Sequence, residues 1–530
     1  MGLSTALGTT RGAVMIRKTL SRSITRGLLT SGLALMCALG FGSSVGFGHA
    51  KLLRSQPEAN RKLTQAPKTV ELWFSEELEL SFSTIVVHDQ NGKQVDKNNV
   101  NIAESGRKLQ IDLDDLGSGA YLVEWRALST DQHTMKGKFS FTVALPEAAG
   151  ATSVASPSGA RAGAEKPPAM DTASGTVAES VSGTDWTMSF VRWLEYLAMM
   201  ALFGGFAVRL LVLRPSLRNA TAIDDEQTEA ALVKSRRRFV QLSWLSLVLL
   251  ALATLAALVL QTAAVLDVSV SQSLSPAKLS QVIRETSYGR PWLLQVATLV
   301  ALVVIVFVIS RRTRDRASAA ARTALLWIGL SVTALMFLSP SLTGHAAAAA
   351  TEWPLAVFSD WLHLVAAGFW VGGLFHLVLT MTPATSELDG RQRLSVLHSA
   401  IPMFTRLAIM STVLIAITGI YNSWIHIDRL SALWTTPYGK TLAIKVLLFI
   451  PMIALGGWNT FVIHRRARRF MESDNETSDH VKVDRAFRRS ITIEATLGVA
   501  VLLAAAVLVF LQPAREHPAT TETRTMTQMK

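Results

Sequence analysis

Residues 355–380 read LAVFSDWLHLVAAGFWVGGLFHLVLT, in which the only ionisable side chains are Asp360, His363 and His376. A helix crosses a hydrocarbon core of about 30 Å with about 20 consecutive apolar residues, so this stretch is long enough to span. Runs of the same character recur at 188–213, 239–266, 292–310, 323–342, 403–425, 441–463 and 490–511. Together they predict an all-α polytopic membrane bundle of about eight helices over 186–511, followed by a polar tail at 512–530.

The composition agrees. Of 530 residues, 49% are hydrophobic and 17% charged, whereas a soluble chain carries about 25% charged residues. The net charge of +13 does not point to nucleic acid, because of where the charge sits. Lys and Arg gather between apolar runs, as in Lys234-Ser-Arg-Arg-Arg238 and Arg311-Arg-Thr-Arg-Asp-Arg316. Such segments mark the cytoplasmic side of a membrane protein. Loops 214–238, 311–322 and 464–489 are dense in them and 381–402 less so, while 267–291, 343–354 and 426–440 are poor. An even number of spans with this alternation places both ends of the bundle outside the plasma (inner) membrane of a bacterial cell.

The chain ahead of Trp186 answers to water. Residues 1–48 have the form of a signal peptide: Arg11, Arg17, Lys18, Arg22 and Arg26, then an apolar stretch, then Gly46-Phe47-Gly48. Cleavage after Gly48 would make His49 the mature N-terminus; an uncleaved anchor is the competing reading. Cleavage also removes the single cysteine, Cys37, and with it any thiolate site or disulfide. Within 49–145, Val70–Phe74, Ser83–Val87, Lys108–Leu113, Gly119–Arg126 and Gly137–Val143 are β-rich or alternate in polarity, and Asn91-Gly92 marks a turn. They predict an all-β Greek-key sandwich. Residues 146–185, rich in Ala, Ser, Gly, Thr and Pro, read as a flexible linker.

Two places in the sandwich suit a metal. An N-terminal His49 would offer its α-amine and its imidazole together, a pairing suited to Cu(II). Asp131 and His133 lie two residues apart, and on a strand would share a face. Alone, the Asp-x-His pair reads first as two solvated surface residues that bind nothing; a histidine at a cleavage point is what raises it. His88 reads as a solvated surface histidine.

Ionisable groups inside apolar helices are costly and by default suggest function. Asp360 and His363 fall on one helix face, and His345 follows the fourth run on the same outer side. Glu195 and Lys445 also fall outward of centre, with His376 and Glu494 nearer the cytoplasm. Met199, Met200, Met336, Met403, Met410 and Met452 carry thioethers suited to Cu(I), although a methionine in an apolar helix is ordinarily core. His398, His426 and His464 fall at loop margins and need no role.

The N-terminal domain resembles the CopC family of periplasmic copper-binding β-sandwiches. The residues that carry the likeness are His49-Ala, Ser55-Gln-Pro, Ala66-Pro67, Leu72-Trp-Phe-Ser-Glu76, Gly119-Ala-Tyr-Leu-Val-Glu-Trp-Arg126 and Ser129-Thr-Asp-Gln-His133. The resemblance implies Cu(II) ligands at His49, Asp131 and His133. Met135 is the only methionine between His49 and Met170, so the methionine-rich Cu(I) site of some members is expected to be missing.

The bundle is similar to the CopD family of membrane copper proteins. The matching segments are Tyr288-Gly-Arg-Pro-Trp292, Ser341-Leu-Thr-Gly-His-Ala346, Asp360–Leu374, Phe404–Ala408, Thr418-Gly-Ile-Tyr421, Thr436–Thr441 with Lys445, Gly457-Trp-Asn459 and Ile493–Gly498. That resemblance implies copper uptake across the inner membrane or copper tolerance. His345, Asp360 and His363, three metal-capable groups at one membrane level, are the candidate metal-binding group near the outer mouth, with copper as Cu(I) or Cu(II) within the membrane. Copper, the bilayer and other copper-homeostasis proteins are the expected partners. No P-loop, aspartyl-phosphate or reductase motif is visible, so the expectation is not an enzyme. Two other classes stay open: a haem electron-transfer protein ligated by two of His345, His363, His376 and His426, and a copper sensor or buffer without flux.

Overall fold

The computed structural model describes residues 52–104, 106–129, 134–145, 185–311, 319–344, 353–427, 429–472, 479–511 and 513. The chain divides into two units, one within Gly48–Ser182 and one holding Gly183–Lys530.

The first unit is a two-sheet β domain. Its strands are β1 (Leu52–Gln56), β2 (Lys62–Leu63), β3 (Thr69–Phe74), β4 (Thr84–Asp89), β5 (Asn101–Ala103), β6 (Lys108–Asp112), β7 (Gly119–Leu128) and β8 (Thr134–Val143). One sheet has the order β1-β3-β6-β5 and the other β2-β8-β7-β4. Alternation buries one face of β3 and of β7: Val70, Leu72 and Phe74 on β3 meet Tyr121, Val123 and Trp125 on β7 in one core. Phe74 and Trp125 touch edge to face across the sheets, with ring centroids 5.2 Å apart. Gly92 turns the chain after β4 at φ +77°, a conformation that favours glycine. Strands β1, β2 and β5 were not legible beforehand: β2 has two residues, β5 three, and β1 shifts register between Leu52 and Arg54. Met135 is buried in this core, as a packed side chain would be.

The second unit has eight helices long and apolar enough to cross a membrane: α1 (Trp186–Arg218), α2 (Asp225–Leu266), α3 (Gly289–Arg311), α4 (Ala320–Thr343), α5 (Pro354–Ala384), α6 (Gly390–His426), α7 (Pro437–Glu472) and α8 (His480–Leu508). Several outrun their apolar cores. Helix α2 begins at Asp225 because Asp224 accepts from the Gln227 amide at 2.7 Å in a capping box. The basic run Lys234–Arg238 is therefore helix rather than loop, in keeping with the helix propensity of Lys and Arg. His398 and His464 likewise lie inside α6 and α7, not at loop margins, and their rings stack 5.0 Å apart at 8°.

Helices α1, α5 and α8 form the centre, with 78%, 78% and 67% of their apolar windows buried; α6 and α7, at 22% and 17%, face outward. The tight crossing of α1 and α5 depends on glycine: a Cβ on Gly204 would collide with the backbone of Gly372.

Candidate metal centre

His49, Asp131 and His133, the expected ligands of the β domain, lie outside the described residues, and so does His345. The frame around Asp131 and His133 is described. Leu128 pairs with Thr134 at the ends of β7 and β8, and Ser129 bridges to Leu78. Glu76, from the Leu72–Glu76 segment, is a buried carboxylate two residues before Leu78. The sequence offered a signal for it, a charge at the end of a buried strand.

In the bundle, helix packing brings together segments far apart in the chain. The Ser341 hydroxyl on α4 donates to Asp360 Oδ2 on α5 at 2.7 Å. One turn below Asp360, His363 Nδ1 lies 2.9 Å from Thr418 Oγ1 on α6. That hydroxyl has one proton, and its 2.6 Å contact to the Leu414 carbonyl takes it. Thr418 therefore accepts from His363, which assigns the proton to Nδ1 and leaves Nε2 as the basic nitrogen. An imidazole held in this way is prepared to ligate a metal through Nε2, with the threonine orienting the ring.

The other membrane candidates are engaged elsewhere. His376 Nε2 is bonded to the Ala201 carbonyl of α1 at 2.9 Å and Nδ1 to Thr380 one turn along α5 at 3.0 Å, so both ring nitrogens are occupied. Glu195 pairs with Arg192 at 3.0 Å and accepts from Gln295, which also reaches Thr254 and Ser339. Met199, Met200, Met336 and Met452 are buried in the core, while Met410 is exposed. Arg209, which the sequence reading passed over, is buried in a π-helical turn of α1 and donates to Ser235. Among the described residues no three His, Cys, Asp or Glu side chains cluster as a metal site would require.

Residues 52–144 match the CopC domain, 183–353 the copper resistance protein D-like N-terminal domain, and 398–508 copper resistance protein D. The chain is a CopC/CopD fusion. Its relatives include the copper transport protein CutJ of Bacillus subtilis, 27% identical over 490 residues, covering 92% of this chain and 78% of CutJ. Copper resistance protein C of Xanthomonas campestris pv. juglandis is 32% identical over 116 residues, 21% of this chain and 91% of that one. Among solved structures, CopC from Methylosinus trichosporium OB3b is 35% identical, covers 19% of this chain and 98% of its own, and has a TM-score of 0.18. The CopC/CopD fusion is thus a multi-pass membrane protein that handles copper, and its matched families are copper-binding and transport proteins.

Proposed function

We propose that the CopC domain captures Cu(II) outside the plasma membrane and that the CopD bundle moves copper inward. In the β domain the ion is held by the α-amine and imidazole of His49, with Asp131 and His133. The linker then lets the domain deliver to the outer mouth of the bundle, where His345, Asp360 and His363 receive the ion. The alternation of basic and non-basic loops supports this orientation.

The single observation that carries the reading is the hydrogen-bond direction at His363. A buried imidazole whose Nδ1 proton is committed to Thr418 presents Nε2 as a ligand. Imidazole accepts either oxidation state of copper. Asp360, held by Ser341, supplies an adjacent oxygen donor or orients the neighbouring ligands.

The deciding experiment is copper flux in proteoliposomes, measured in each direction with and without the CopC domain. Inward flux that falls on removing the domain is expected. A protein that binds copper at the CopC domain but shows no flux in either direction would instead be a sensor or buffer. The haem reading loses support from His376, whose ring nitrogens are both taken; a Soret band in the purified protein would revive it.

A further inference from the structure

Between α6 and α7, away from His363, the bundle holds a cavity of about 270 Å³. Its rim includes Ile409, Val413 and Phe461, all exposed on the outward faces of α6 and α7, so it opens sideways toward lipid. Its floor is polar. Glu494 on α8, 1% exposed, accepts from Trp370 Nε1 at 2.8 Å and from Asn459 Nδ2 at 3.3 Å. Trp370 and Asn459 each sit in a π-helical turn, at Gly368–Gly372 of α5 and Asn459–Ile463 of α7. Such turns are frequent at functional sites. Gly456 and Gly457 keep the wall open, and a Cβ on Gly456 would point at Glu494 Oε1 from 3.8 Å.

The hydrogen bonding of the lining is lopsided. The Trp370 indole is committed to Glu494, the Thr412 hydroxyl to the Ala408 carbonyl, and the Thr460 hydroxyl to the Gly456 carbonyl, which leaves Thr405 to donate to Thr460. Asn459 Oδ1, by contrast, is buried with no partner, and the residue is 7% exposed. A buried acceptor left unmade costs about 1–3 kcal/mol, so the floor calls for a ligand that brings hydrogen-bond donors.

We propose that this cleft binds a membrane-soluble hydroquinone: a neutral aromatic ring bearing hydroxyls, with its hydrocarbon tail left in the bilayer. One hydroxyl donates to Asn459 Oδ1 and the carboxylate of Glu494 takes the ring's hydrogen bonding further. The volume fits a six-membered ring with substituents, since a cavity of about 150 Å³ already holds benzene. Trp370, Phe404, Phe461 and Phe487 line it with aromatic surface. Phospholipid headgroups do not match. No Lys or Arg lines the cavity to meet a phosphate, and Glu494 lies five residues beyond Arg489 along an apolar helix, about 7 Å deeper. The oxidised quinone, having acceptors only, cannot supply the donor that Asn459 Oδ1 lacks.

The test uses the full-length chain in phosphatidylcholine nanodiscs, titrated calorimetrically with decylubiquinol kept reduced, and separately with decylubiquinone. Saturable binding of the quinol is expected, at least about tenfold tighter than the quinone, this being about the discrimination of one good hydrogen bond. Ala408→Trp fills the cleft from its half-buried rim without touching the polar floor and should abolish binding; Asn459→Leu removes the orphan acceptor and should erase the preference for the reduced form. Absence of saturable quinol binding by the folded wild-type protein overturns the proposal, and so does binding undiminished in Ala408→Trp.

Discussion

His363 on α5 and Thr418 on α6 share a 2.9 Å hydrogen bond whose direction is set by a third group, the Leu414 carbonyl, 2.6 Å from the same hydroxyl. The threonine proton is spent within α6, so the imidazole must donate. Thr418→Val removes the acceptor and frees the ring to turn. Loss of such an orienting partner costs about 10–100-fold in metal affinity or activity, and copper accumulation in cells should fall by that order. Thr418→Ser keeps the hydroxyl and should stay near wild type. Metal analysis of washed cells, at matched membrane levels of protein, decides the matter; wild-type accumulation by Thr418→Val would remove the threonine from the pathway.

Replacing His345 and His363 together by Ala should abolish accumulation while leaving Cu(II) binding by the CopC domain intact. Asp360→Asn retains the bond from Ser341 Oγ to an oxygen and should lower accumulation only in part. His426→Ala, at the far end of α6, serves as the control. Normal accumulation by a well-expressed double mutant would place the route elsewhere in the bundle.

The isolated CopC domain has its own core and should bind one Cu(II) tightly when its chain begins at His49. One residue added ahead of His49 displaces the amine, and His133→Ala removes an imidazole; each should weaken binding by orders of magnitude. Because the ligands bind deprotonated, affinity should fall as pH drops through the imidazole range near roughly 6.5. Unchanged affinity and an unchanged electron paramagnetic spectrum in His133→Ala would remove that ligand. Mass analysis of the mature protein must also begin at His-Ala-Lys-Leu.

A separate test concerns the folded CopC domain without metal. The Trp73 indole donates to Glu104 at 2.8 Å, and Lys108 lies 3.4 Å from the same carboxylate. These contacts, the indole first, hold the Glu104 carboxyl below its ordinary value of 4.5. A carboxyl depressed in the folded state adds stability above its unfolded value and loses it as pH falls through the folded one. Nuclear magnetic resonance titration should therefore show Glu104 protonating below pH 4.5, and Trp73→Phe should move it upward. A titration midpoint unmoved by Trp73→Phe would contradict this cause.

Much of the architecture could be read along the chain. The eight spans, the β domain and the segment between them are separated by polarity averaged over tens of residues. Water and lipid sort such averages without reference to partners. Strand alternation was legible in β3 and β6, where every second residue is buried. It was not legible in β2 or β5, whose place comes from pairing with β8 and β6 rather than from their own two or three residues. The basic ends of α2 and α7 read as loops because polarity alone was counted there, while capping and propensity extended the helices.

The candidate site was legible only as residue types. Asp360 and His363 stand out in sequence because charge in an apolar helix is expensive. Nothing along the chain says that Ser341 answers one and Thr418 the other, nor that His376, equally conspicuous, has both ring nitrogens occupied. Those outcomes depend on the rotation of each helix about its axis. In α1, α5 and α7 the rotation is altered by π-helical turns, which insert a residue and shift the face presented to neighbours. Trp370, which meets Glu494 from 124 positions away, sits in one of these turns. Sequence alone determined which segments enter lipid, because transfer between solvents depends on what a segment is made of; tertiary structure alone decided which polar groups meet there, because that depends on where helices turn their faces.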